Sequence, residues 1–107
     1  MKSVIRFETK NLKDKFNKLE STNQSIFKQL NKTFDSIEEN ASDGIQIPKR
    51  LFPKKWKKYS NLWKYNLPDA CRLIYTIAPP EEHGQVIVLA IILDWMSHKE
   101  YEKLFKY

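Results

Sequence analysis

Cys71-Arg72-Leu73-Ile74-Tyr75-Thr76-Ile77 decides the fold. Branched and aromatic side chains follow one another here with one charge among them, the composition of a β-strand. Residues 79–84 cannot continue it: Pro79 and Pro80 fix φ and remove donors, so the stretch through Gly84 reads as a hairpin loop, with His83 a bystander. Residues 86–93 then run apolar for eight positions, as a central strand covered on both faces would. Asp94-Trp95-Met96-Ser97 follows, and then a polar stretch from His98 to Lys103 with helical spacing. Upstream, Trp63-Lys64-Tyr65-Asn66-Leu67 alternates and runs into a Pro68-Asp69 turn, so it is expected to pair antiparallel with the Arg72 strand. A strand has a period of two, so either Leu73, Tyr75 and Ile77 or Arg72, Ile74 and Thr76 face the helices. A functional Arg72 requires the first set to face inward.

The N-terminal half supplies the cover for this sheet. Residues 3–8 alternate and suggest a short first strand. From Lys10 the period changes: Leu12, Phe16 and Leu19 fall on one helical stripe. Ser21-Thr22-Asn23-Gln24 has the spacing of a capping box that opens a second helix, whose stripe is Ile26, Phe27, Leu30, Phe34 and Ile37. That helix is expected to end between Asn40 and Gly44, with Gly44 supplying a positive φ. Residues 45–58 are broken by Pro48 and Pro53 and read as an irregular connection pinned by Ile45, Ile47, Leu51, Phe52 and Trp56. The expectation is one α+β domain over residues 1–107: a small antiparallel sheet of about four strands, an N-terminal helical hairpin on one face and a short C-terminal helix. Phe16, Leu30, Phe34, Ile91 and either Ile74 or its alternate neighbours are expected in the core.

Composition limits the function classes. The chain has 107 residues, 41% hydrophobic and 13% aromatic, enough for one packed core but not two. No apolar run approaches the roughly 18 residues that span a bilayer, and the opening MKSVIRFETK lacks an apolar signal core, so a cytoplasmic protein with no membrane partner is expected. A single cysteine excludes an internal disulfide, and two separated histidines make neither a metal site nor a cofactor site expected. The net charge is +6, but residues 44–68 contain no acid and seven bases: Lys49, Arg50, Lys54, Lys55, Lys57, Lys58 and Lys64. So concentrated a patch favours a polyanionic partner, nucleic acid or acidic protein. Trp56 and Tyr59, interleaved with the lysines, suit base stacking, although Trp56 and Trp63 read individually as core residues.

The element order and two short motifs carry a resemblance. The chain resembles the RelE/ParE superfamily of small basic toxins of type II toxin–antitoxin modules over essentially its whole length. Cys71-Arg72-Leu73-Ile74-Tyr75 is similar to that family's aromatic-Arg-apolar-apolar-Tyr strand, and Ser97-His98-Lys99-Glu100-Tyr101 to its Gly-His-Arg-Lys-type ending. Cys71 stands where the family usually has an aromatic residue, Lys99 where arginine is common, and Tyr101 and Tyr107 both compete for the terminal tyrosine of the RelE branch. RelE-like members cut mRNA in the ribosomal A site, whereas ParE-like members poison gyrase. The resemblance therefore implies a metal-independent, ribosome-dependent endoribonuclease, a hydrolase that inhibits translation, with mRNA and the ribosome as targets and an acidic antitoxin as partner. A non-catalytic member, a gyrase-type poison or a degenerate antitoxin- or nucleic-acid-binding protein, is the alternative.

Cleavage through a 2′-hydroxyl needs a base, a cation for the phosphorane charge and an acid for the leaving oxygen. Arg72 fits the cationic role; mid-strand, it must either pair internally, with Asp69 or Asp94, or face a groove. His98 fits acid–base work. Lys99 and Lys64 read as phosphate clamps or as ordinary solvated lysines. Tyr101 can stack on a base or donate a proton, or, by its spacing to Leu104 and Phe105, belong to the core. Lys49, Arg50, Lys54, Lys55, Lys57 and Lys58 are the expected RNA-binding run.

Overall fold

The computed structural model describes residues 3–68, 71–78 and 88–105. Strand β1 (Ser3–Phe7) leads into helices α1 (Lys10–Thr22) and α2 (Gln24–Glu39). A two-residue strand, β2 (Ile45–Gln46), precedes an irregular connection, and β3 (Trp63–Leu67), β4 (Cys71–Ala78), β5 (Val88–Ser97) and α3 (His98–Phe105) follow. The expected hairpin loop at 79–84, the turn residue Asp69, and Tyr107 lie outside the described residues.

The fold is the expected α+β arrangement with two corrections. Among the described residues there are five strands, in the order β1-β5-β4-β3-β2, because Ile45 and Gln46 add a short edge to β3. The sheet is also not wholly antiparallel: β1 runs parallel to β5, from Ser3 opposite Val88 to Phe7 opposite Ile92. A parallel partner needs a long crossover rather than a turn, and the helical hairpin that follows β1 begins it. β3, β4 and β5 form the antiparallel meander.

Local chemistry sets the helix ends. Thr9 caps α1, its side chain accepting from the Leu12 N–H at 3.1 Å. The expected Ser21 capping box does not form, since Ser21 lies inside α1 and its hydroxyl donates to the Lys18 carbonyl at 3.2 Å. Asn23 instead serves both helices: its N–H donates to the Leu19 carbonyl at 2.8 Å, and its side chain accepts from the Ile26 N–H at 3.2 Å. Asparagine caps as well as serine and tolerates the bend between two helices. Gly44 has φ −81°, so it does not stop α2 by a left-handed turn as expected; Asn40 ends that helix. The glycine is required by a close approach. A Cβ there would sit 2.5 Å from the Tyr75 hydroxyl and 2.7 Å from the Lys64 carbonyl.

Each face of the sheet carries its own apolar cluster. On one, Phe16, Leu30, Phe34 and Ile37 of the hairpin pack on Leu73, Tyr75, Ile92 and Trp95. Phe16 is the hub, with ring centroids 4.9 Å from Phe27 and 5.3 Å from Phe34. On the other, Phe52 and Trp56 of the connection and Tyr101 and Phe105 of α3 pack on Ile74, Leu93 and Met96. The hairpin therefore covers the Leu73, Tyr75 and Ile77 set, and Ile74 belongs to the opposite cluster, where Ile91 packs half-buried. β5 lies between β1 and β4, the central strand its apolar run implies. Ile45, expected to help pin the connection, is 51% exposed; Ile47, Phe52 and Trp56 do the pinning.

Asn61 ties the connection to the end of β4. Its side chain accepts from the Ile77 N–H at 2.8 Å and donates to the Ile77 carbonyl at 2.9 Å. Among the described residues no helix is long and apolar enough to cross a membrane.

Candidate functional site

Alternation along β4 places Arg72 on the face away from the hairpin, between cross-strand neighbours Asn66 on β3 and Met96 on β5. β5 ends one residue later, at Ser97 opposite Cys71, and α3 begins at His98. The turn from strand to helix is a capping box, Ser97-His98-Lys99-Glu100. The Ser97 hydroxyl accepts from the Glu100 N–H at 3.1 Å, and the Ser97 N–H donates to the Glu100 carboxylate at 3.2 Å. The Ser97 N–H, and after it the Ser97 hydroxyl, hold the Glu100 carboxyl below its usual pKa range.

This box aims His98 back at the sheet. Arg72 Nη2 lies 3.1 Å from His98 Nδ1, and Arg72 Nη1 donates to the Cys71 carbonyl at 3.3 Å. On the other side of the ring, His98 Nε2 lies 2.5 Å from Glu102 Oε1, one helical turn further along. Asp94, one of the two acids considered as partner for Arg72, pairs instead with Lys15 of α1 at 3.5 Å, and Asp69 lies outside the described residues. Among the described residues, Arg72 is half-buried with an imidazole and a carbonyl as partners, neither of which neutralises its charge. A guanidinium held in that way keeps its affinity for an incoming phosphate.

The other candidate residues divide. Lys64 stands on the same face of the sheet, opposite Ile74, with Nζ 5.0 Å from the centre of the Tyr101 ring. Tyr101 is 1% exposed and packs on Phe105 at 4.5 Å, so its ring is part of the core beneath Lys64 rather than an open stacking platform. Lys99 is exposed on the first turn of α3.

The basic run is solvated throughout: Lys49, Arg50, Lys54, Lys55, Lys57 and Lys58 are all exposed. Pro48 and Pro53 each introduce a single 3-10 turn, Lys49–Leu51 and Lys54–Trp56, which turns the lysines outward while Phe52 and Trp56 go in. Trp56 is thus core, and Lys55 lies over it at 4.6 Å. Tyr59 is tied up by a hydrogen bond from its hydroxyl to Glu8, and burial, then that bond, pushes its pKa up to about 12. Between this connection and the end of α3 lies a groove of about 640 Å³, with Arg50, Lys54, Lys57 and Lys103 around an apolar floor of Phe52 and Leu104.

Among the described residues, no three His, Cys, Asp or Glu side chains gather in a way that would hold a metal ion. The Cys71 thiol is buried, and burial raises its pKa, which disfavours the thiolate a nucleophile needs. Sequence reasoning missed Glu102 and the capping box. Both were legible as spacings: Ser-x-x-Glu from 97 to 100, and His to Glu at i, i+4. Comparison of the chain with protein-family models, with curated proteins and with solved structures finds no match.

Proposed function

We propose that this chain is a RelE-like toxin: a metal-independent endoribonuclease that cuts ribosome-bound mRNA by attack of a 2′-hydroxyl and is neutralised by an acidic antitoxin in the cytoplasm. The observation that carries the reading is the 3.1 Å contact of Arg72 with His98, which joins a cation suited to phosphate and a side chain suited to proton transfer at the end of a cationic face. The strand–hairpin–meander–helix order supports the resemblance noted in the sequence.

In this mechanism Arg72 holds the scissile phosphate and stabilises the charge of the phosphorane, with Lys99 as a second clamp. His98 takes the 2′-hydroxyl proton at Nδ1 as the 2′-oxygen bonds to phosphorus. The phosphorus–5′-oxygen bond breaks, and the leaving oxygen takes a proton from the Lys64 ammonium. The products are a 2′,3′-cyclic phosphate and a 5′-hydroxyl. Tyr101 supports Lys64 from beneath, and the exposed cations of residues 49–58 hold the flanking RNA backbone. An acidic antitoxin has the charge to cover the same surface.

Induced expression in growing cells, followed by mapping of mRNA ends, tests the reading. Growth arrest with in-frame cuts bearing 2′,3′-cyclic phosphates is expected, with cleavage by the purified protein on programmed ribosomes surviving EDTA. Intact mRNA during arrest would overturn it in favour of the second reading, a non-catalytic binder. Burial of Tyr101 favours that second reading, because it leaves no open tyrosine at this position.

A further inference from the structure

The contacts around His98 give its two ring nitrogens opposite hydrogen-bonding roles. Arginine has only N–H groups and no acceptor, so the atom 3.1 Å from Arg72 Nη2 must present a lone pair. That atom is Nδ1. A carboxylate is acceptor-only, so the atom 2.5 Å from Glu102 must carry the hydrogen. That atom is Nε2. Exchanging the ring's nitrogens and carbons would leave both neighbours facing C–H groups, so this orientation is the one that satisfies both. In this arrangement Nε2 is the ring's donor, toward Glu102, and Nδ1 its acceptor, from Arg72.

We propose that Glu102 is the positioning residue of a phosphate-gated base: it holds His98 in the Nε2–H form, and Arg72 caps the base until an RNA phosphate draws it away. This rests on the reading of Arg72 and His98 as an RNA-cleaving pair and adds the residue and the gate that make the pair usable. A phosphate diester offers Arg72 two anionic oxygens in the geometry of its planar fork, a stronger partner than one imidazole nitrogen. When Arg72 turns to the phosphate, Nδ1 is uncovered beside the ribose. The 2′-hydroxyl proton then moves to Nδ1, while Nε2–H stays on Glu102, whose negative charge stabilises the imidazolium that forms. Without phosphate the base is masked, which suits a nuclease that must stay inactive on hydroxyls in general.

Among the described residues, the groups in contact with the ring are Arg72 from β4 and Glu102 from its own helix; Asn66 stands opposite Arg72 on β3, Lys99 is exposed on the first turn of α3, and Glu100 is turned into the capping box.

Long-range ¹H–¹⁵N correlation spectra of the ¹⁵N-labelled protein read the ring directly, with His98→Gln identifying its signals against those of His83. The wild type is expected to show an unprotonated Nδ1 and a protonated Nε2. Glu102→Gln keeps an acceptor oxygen and is expected to keep that pattern; Glu102→Ala is expected to show mixed tautomers. Single-turnover cleavage of programmed ribosomes should slow about tenfold or more in Glu102→Ala, with KM unchanged and a displaced acid limb in the pH profile, and recover at least partly in Glu102→Gln. An Nδ1–H ring in the wild type, or an unchanged Glu102→Ala pH profile with unchanged rate, overturns the gate while leaving the nuclease reading intact. Absence of cleavage by the wild type overturns the nuclease reading, and the proposal with it, whatever the tautomer.

Discussion

The two faces of the sheet are built from different materials. The hairpin face is covered by two regular helices whose stripes interlock around Phe16, and its buried members are almost all apolar. The opposite face is covered by proline-punctuated single turns and the short α3, and it is there that Arg72, His98, Lys64 and the exposed lysines gather. β4 serves both through its period of two: Leu73 and Tyr75 go to the hairpin, Arg72 to the other side. One face is packed by regular helices, and the other joins an apolar cluster of its own to the charged groups. Substitutions on the two faces should therefore fail in different ways.

The largest effect is expected from the hairpin face. Phe34→Ala removes a ring between Phe7 and Phe16 and should destabilise the fold by about 3–5 kcal/mol, measured by urea unfolding. Cleavage by the fraction that remains folded should be unchanged. Gly44→Ala comes next: the new Cβ meets the Tyr75 hydroxyl and the Lys64 backbone, neither free to yield, and roughly 1–3 kcal/mol should be lost. A neutral melting curve for this variant would mean that the glycine is dispensable.

Tyr75 links the same spot to pH. Burial is the main cause that pushes its pKa up to about 12 from 10.0, and its hydroxyl donates to the Ala41 carbonyl at 2.7 Å. Because the folded value is the higher one, its stabilising contribution is complete below about pH 10 and is lost as pH rises through about 12. Tyr75→Phe should flatten the alkaline limb of stability against pH; an unaltered limb would assign that loss elsewhere. The smallest effect on stability is expected from replacing Lys54, Lys55, Lys57 and Lys58 together by Gln, within about 0.5 kcal/mol. The same variant should flatten the salt dependence of ribosome or RNA binding by about 0.7 per lost phosphate contact. An unchanged slope would make the run a solvated face and nothing more.

Much of this division was legible beforehand, for reasons that differ by element. The Trp63–Leu67 strand and the hairpin stripes were readable because periodicity is local. The partner of β1 was not, because a parallel pairing is announced by no turn between the two strands. Ser21 and Asn23 are both good caps two residues apart; α1 runs on through Thr22, which leaves Asn23 to cap α2. Gly44 looked like a left-handed stop, whereas its reason is a tyrosine 31 residues away. At the site, alternation left Arg72 on one of two sides of β4, and the packing of the hairpin on Leu73 and Tyr75 decides which. The partner of Arg72 depended on where β5 gives way to α3, and an irregularity in the β4–β5 register, between Ile74 and Tyr75, is invisible to pattern reading. The i, i+4 pair of His98 and Glu102 needed only spacing, and went unread because helix surface pairs are common.

The most direct measurement is single-turnover cleavage of a programmed ribosome complex by the wild type and by Arg72→Ala, with melting curves for both. If the Arg72 face is the catalytic one, the wild type cuts, and the variant binds with near-wild-type affinity, melts within a few degrees of it and cuts on the order of 10²-fold more slowly. A wild type that does not cut, or a variant that cuts at the wild-type rate, would contradict the account.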